Sequence, residues 1–164
     1  MLATEDRRFY YHFGVDPLGI LRAAYVNYKY DGALQGGSTI TQQLAKNLFL
    51  TADKTIGRKI QEAMLAIWLE MKLSKDEILS AYLNRVYLGG GAFGIDAASY
   101  VYFDKPASEL TLEESATIAG LLKAPSRYSP LANPEASEKR TRVVLNAMVE
   151  EGYIEESDIK KDVA

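Results

Sequence analysis

Apolar residues recur along this chain at three- and four-residue spacings, and no stretch alternates convincingly, so the pattern predicts helices throughout. A short helix begins near Thr4 and is stopped by Gly14; Glu5, Phe9 and His12 fall at i, i+4 and i+7, on one side of it. Asp16-Pro17, a cap followed by a first-turn proline, opens a helix to about Tyr30. Leu18, Leu21, Ala24, Tyr25 and Tyr28 lie on or near one of its faces, and core packing is their expected use, although such tyrosines also suit a membrane interface. A polar loop beginning Asp31-Gly32-Ala33, expected to be mobile, leads to Gly36-Gly37-Ser38. The next helix runs on from Thr39 with Ile40, Leu44 and Leu48 as a buried stripe, while Thr39, Gln43 and Lys46 share another face.

After a break at Thr51-Ala52-Asp53, Ile56, Ile60, Met64, Ile67, Trp68 and Met71 form the expected buried stripe of a long helix. Ser74 and Glu77 make a capping box for a helix through Ile78, Leu79, Tyr82, Leu83 and Val86 that stops at Gly89-Gly90-Gly91. Ala92 to Phe103 reads as a closely packed helix of small and aromatic residues. Thr111 and Glu114 form a second capping box, for an apolar helix that ends before Ala124-Pro125. A proline-rich loop then leads to a helix from Pro134 to Glu151, stopped by Gly152, with Val143, Val144, Ala147 and Met148 on its buried side.

The polar positions add candidate chemistry. Two glycines before a helix allow close backbone approach, Ser38 is the expected N-cap, and the N–H groups of the first turn can seat an anion. Taken alone, that stretch reads more readily as ordinary loop-to-helix capping. Glu5 beside aromatic residues loses hydration, which raises a carboxyl pKa toward that of a useful base; Glu5 and Asp6 also simply suit a helix start. The lone His12 reads more readily as a satisfied core or capping residue. Arg58 and Glu62 are four apart; as a surface pair they contribute about 0.3 kcal/mol, and in a cleft Glu62 would orient Arg58 or Lys59 or react itself.

Composition narrows the partners. With 164 residues, 48% of them apolar and 25% charged, the chain suits one well-buried domain. A net charge of −3 implies no broad basic surface and so argues against nucleic acid as the main partner. There is no cysteine, hence no disulfide, thiolate metal site or cysteine nucleophile. The longest strongly apolar run, Ala63 to Leu69, is far short of the ~20 residues of a membrane helix. Functional-looking residues follow Met1 almost at once, so the chain is expected to be an excised domain whose anchor lay upstream.

Together these segments resemble glycosyltransferase family 51, the peptidoglycan glycosyltransferases found alone or as a module of class A penicillin-binding proteins. Glu5-Asp6 with Phe9, His12 and Gly14 resembles the first motif, and Gly36 through Asn47 the second almost residue for residue. Arg58-Lys59 with Glu62 resembles the third, and Lys75 through Gly89, with Tyr82-Leu83-Asn84 and Tyr87, the fourth. Gly94 with Ala97, Ala98, Tyr102 and Phe103 resembles the fifth; Lys123-Ala124-Pro125-Ser126 and Gly152-Tyr153-Ile154 are also similar to the family.

The resemblance implies an all-α, lysozyme-like, two-lobed fold that polymerises lipid II on the outer face of the bacterial cytoplasmic membrane. It implies Glu5 as base and a catalytic part for Glu62, which orients the cations, assists the leaving group or helps hold a divalent ion. Lys46, Arg58 and Lys59 would receive the pyrophosphate, with Ser38, Thr39, Gln43 and Asn47 holding donor phosphates or sugars. Asp6 and His12 would support the substrate site. No cofactor is required for certain; magnesium or manganese is the open possibility. Lipid II, lipid-linked glycan and the membrane surface are the implied partners, a fused transpeptidase domain is open, and moenomycin is the expected inhibitor. The chain departs from the family in lacking a transmembrane helix before the first motif, and membrane affinity is expected of an apolar surface involving the Tyr25 to Leu34 region. A lysozyme-like glycosidase or lytic transglycosylase, which has no pyrophosphate to neutralise, and a non-catalytic lipid-pyrophosphate binding module are the rival readings.

Overall fold

A computed structural model describes residues 1–30, 36–50 and 53–161. The expected loop at Asp31-Gly32-Ala33, the Leu34 end of the apolar region and the Thr51-Ala52 break lie outside the described residues. Among the described residues the chain is helical, with one isolated bridge between Tyr87 and Phe93, and it divides into two compact units.

One unit comprises Arg8–Tyr82. It holds α2 (Pro17–Lys29), α3 (Ile40–Phe49), α4 (Ile56–Lys72) and most of α5 (Lys75–Leu83), with α3 packed on α4. Thr39, not Ser38, caps α3: its hydroxyl accepts from the Gln42 amide at 3.0 Å, and the Gln42 side chain accepts from the Thr39 amide at 2.9 Å. Capping requires the side chain to turn back on the third residue of the helix, and Ser38 lies one position too early. Ile40 and Leu44 are buried as expected, whereas Leu48 is only partly so.

The long helix inverts its expected orientation. Ile56, Ile60, Met64, Ile67, Trp68 and Met71 are exposed by 39% to 82%, and the residues that α4 buries are Glu62, Ala66 and Leu69. α2 likewise exposes Leu18, Leu21, Ala24, Tyr25 and Tyr28 and buries Gly19 and Ala23. On α4 the small-residue face makes the close contact with α3, and the broad apolar stripes of both helices are left outward. Gly14, at φ +87°, explains part of this close approach, because a Cβ there would lie 2.8 Å from the Ala66 carbonyl carbon.

A buried ionic knot ties this unit. Glu70 accepts from Lys75 Nζ at 2.6 Å and from the Thr41 hydroxyl at 2.8 Å, and Lys75 also donates to the His12 carbonyl at 2.7 Å. The ammonium sits 4.6 Å from the centroid of the Phe9 ring. Glu70→Leu strands the largely buried Lys75 charge, and a loss of about 3 kcal/mol in unfolding free energy is expected in a denaturant titration. A loss below about 1 kcal/mol would mean that the pair is dispensable.

The other unit comprises Met1–Arg7 and Leu83–Ala164. It contains α1 (Leu2–Glu5), α6 (Ile95–Phe103), a 3-10 turn at Ala107–Glu109, α7 (Leu112–Leu121), α8 (Pro134–Glu150) and α9 (Glu156–Lys161). Ala116 and Ala119 of α7 pack on Val144 and Leu145 of α8, with Leu112, Met148, Ile154 and Ile159 around them. Val143, expected inside, is half exposed, because α8 turns Val144 and Ala147 inward instead. The expected first helix ends at Glu5, so Phe9 and His12 follow in a turn rather than sharing a helical side with it. The helix through Tyr82 stops at Leu83, short of the glycines. Val86 is buried by a tight reversal instead, in which Gly94 N donates to Val86 O at 2.8 Å and Leu88 N to Ala92 O at 2.9 Å.

Candidate active site

Glu5 is the last residue of α1, which packs on α8. Its side chain is 18% exposed, and Arg140 of α8 places a guanidinium nitrogen 3.8 Å from Oε1. Burial pushes the Glu5 carboxyl above its ordinary range, Arg140 and Lys123 draw it back, and Asp6 pushes the same way as burial. A carboxylate in this setting is a stronger base than one in water and still has a cation nearby to keep it ionised. Asp6 is buried directly after the helix, consistent with a supporting place. Arg7 fastens α1 to the end of α8 through Glu151 at 3.0 Å and Glu150 at 3.5 Å.

The other unit contains the cations. Lys59 donates to Glu62 Oε1 at 2.7 Å and to the Ser38 hydroxyl at 2.5 Å. Glu62 is 2% exposed, while the Lys59 side chain is half exposed, so a buried anion holds a cation whose side chain lies at the surface. The neighbour that Glu62 orients is therefore Lys59, three residues before it, rather than the surface pair with Arg58. Arg58 is partly buried at the start of α4, where its amide donates to the capping hydroxyl of Thr55 at 3.2 Å. Lys46 and Asn47 are exposed on α3. Gln43 accepts from the Tyr82 hydroxyl at 2.9 Å, which fixes its amide orientation.

Thr39 is buried and its hydroxyl is committed, donating to Gly14 O at 2.6 Å and accepting from Gln42 N. His12 occupies a core and turn position: its side chain is 4% exposed, Nδ1 accepts from Gly14 N at 3.2 Å, and Glu70 lies 4.0 Å away. Among the described residues no group of three His, Asp or Glu side chains is placed to hold a metal, and Glu62 is engaged by Lys59.

Reasoning from the sequence missed Arg140, Glu70 and the part Lys75 plays outside its helix start. None carries a local signal. Each works through a partner brought close only by folding, and Arg140 is separated from Glu5 by most of the chain.

One unit thus carries a buried, cation-flanked carboxylate, and the other a set of fixed and exposed cations. The sequence profile of the transglycosylase family matches residues 1–149, and the chain belongs to that family. It is similar to penicillin-binding protein 1A of Aquifex aeolicus, 56% identical over 93% of this chain and 21% of that protein. Penicillin-binding protein 1A of Escherichia coli is also 56% identical, over 93% of this chain and 18% of its own length. The crystal structure of penicillin-binding protein 1A from Haemophilus influenzae shares the fold at a TM-score of 0.52 and 36% identity, over 74% of this chain and 15% of that one. The chain thus spans about one fifth of the curated relatives it matches. Its helical, lysozyme-like fold is that of a glycosyltransferase domain, and neither the glycosidase nor the binding-module reading is favoured.

Proposed function

We propose that this domain polymerises lipid II into β-1,4-linked glycan with inversion, releasing undecaprenyl pyrophosphate. The observation that carries the reading is Glu62, a buried carboxylate that holds Lys59, whose side chain is half exposed, against Ser38. A fixed cation suits a leaving group that gathers negative charge, and a glycosidase has no such group to neutralise. In the proposed step Glu5 takes the proton of the 4-hydroxyl of the acceptor GlcNAc, whose oxygen bonds to C1 of the donor MurNAc. The bond from C1 to the pyrophosphate oxygen breaks, and its electron pair departs with the pyrophosphate, which Lys59, Arg58 and Lys46 receive. A single displacement inverts the anomeric centre. Asn47, Gln43 and Ser38 line the donor; Asp6, His12 and Thr39 act by holding the backbone around these groups. Moenomycin is assigned to the donor site.

The test is incubation of the purified chain with lipid II on one hand and with preformed glycan on the other. Growth of polymer from lipid II supports the proposal, and shortening of glycan with no growth overturns it.

The domain's place is proposed to be the outer face of the cytoplasmic membrane. Among the described residues no helix is long and apolar enough to cross a membrane. An anchor and a fused transpeptidase domain are assigned to sequence outside this chain, on the resemblance and on the share of its relatives that it spans. The outward stripes of α2 and α4 supply a surface for lipid, since patches this apolar are rare on soluble monomers. The chain is expected to float with anionic vesicles containing lipid II, and Met64→Glu with Ile60→Glu to reduce the floated fraction at least about fivefold. Equal flotation of parent and variant would remove α4 from the membrane surface.

A further inference from the structure

The assignment of Glu5 as base leaves open what orients it, because α1 has only four residues and its own hydrogen bonds cannot fix a side chain at its end. We propose that Arg140 is a positioning residue for the reaction, holding the Glu5 carboxylate so that an oxygen faces the acceptor hydroxyl. The inference rests on the reading of Glu5 as the base.

Three observations support it. The first is the separation of 3.8 Å, beyond hydrogen-bond reach, between the guanidinium and Oε1. A closer, two-pronged pair would occupy the carboxylate lone pairs and weaken the base; at this distance the cation attracts the carboxylate while leaving those lone pairs for a proton. The second is the effort the fold makes to place Arg140. Gly120 on α7 leaves room for its stem, since a Cβ there would lie 3.0 Å from Arg140 Cγ, and the guanidinium rests 5.7 Å from the centroid of the Tyr128 ring. The third is that Arg140 Nε is buried without a hydrogen-bond partner among the described residues. Leaving a buried donor unpaired costs free energy, so its retention calls for an explanation beyond the hydrogen bonds of the fold.

The other groups that act on Glu5 do not replace it. Lys123 is exposed and screened by solvent, and Asp6 is a like charge.

The experiment compares Arg140→Met, Arg140→Lys and Glu5→Gln with the parent in steady-state lipid II polymerisation across a range of pH, with cooperative thermal melting as the check on folding. For Arg140→Met, kcat is expected to fall about tenfold with KM within about twofold. Its acid limb should move up by about one pH unit, because loss of the cation raises the pKa of the base and the ionised form is the active one. Arg140→Lys should recover part of kcat and draw the acid limb back. An unchanged kcat and acid limb in folded Arg140→Met, or a loss confined to KM, overturns the inference. Where Arg140→Met does not melt cooperatively, Arg140→Lys decides: a lowered kcat at parental KM supports it, and parental kcat overturns it. Undiminished polymerisation by Glu5→Gln instead removes the base assignment itself, so the two failures are distinguishable.

Discussion

Glu5→Gln is expected to lower lipid II polymerisation by about a thousandfold while leaving moenomycin binding within about threefold. Glutamine keeps the shape and one acceptor oxygen but cannot take a proton at neutral pH, so the loss falls on the chemical step. A sugar hydroxyl is a poor nucleophile without a base, and no other buried carboxylate among the described residues ends α1 beside Arg140. The environment of Glu5 also sets the pH dependence. Burial is the largest influence and raises the pKa, with Arg140 and Lys123 opposing it. The acid limb of the parent rate should therefore lie above the range of an ordinary carboxylate: activity is present above the shifted pKa and lost as pH falls through it. Polymerisation that persists unchanged down to the ordinary carboxylate range would exclude this base, as would full activity in the glutamine variant.

Glu62→Gln is the second large effect, expected at about a hundredfold in kcat/KM, with Tm within about 3 °C of the parent. The two halves of that expectation follow from the same geometry. Glu62 is buried and therefore carries a desolvation cost of its own, which an uncharged amide relieves. Lys59 is half exposed and rehydrates when its partner is neutralised, so little stability is lost. The rate is different. Without the carboxylate the ammonium is no longer held against Ser38, and a cation that wanders must be reordered each time pyrophosphate departs. A variant within threefold of the parent would show that Lys59 needs no orientation; a large fall in Tm would make Glu62 a structural residue first.

These predictions draw on residues of unequal legibility. Glu5, Lys59 and Glu62 could be nominated from spacing and resemblance because their neighbours in sequence already suggested chemistry. What spacing left open was the partner of Glu62, and folding selected Lys59 over Arg58. Arg140 could not be nominated at all. Its place depends on α7 and α8 approaching closely at Gly120, a tertiary fact with no local trace.

The local physics of the chain was readable without a structure. The capping boxes of Ser74 with Glu77 and Thr111 with Glu114 form as read, because each is a bond between residues three apart whose geometry the helix itself imposes. The proline at the start of α8 and the positive φ of Gly152 beyond its end belong to the same class. Orientation was decided only by the tertiary structure. A stripe of Ile, Met and Trp shows that a face avoids water, but not what it meets instead, and on α4 the face chosen for the helix contact was the one with Glu62, Ala66 and Leu69. Small residues allow the closer packing, and a carboxylate can be buried among them once Lys59 neutralises it. Both conditions involve atoms from other turns and other helices, and one-dimensional periodicity does not contain them.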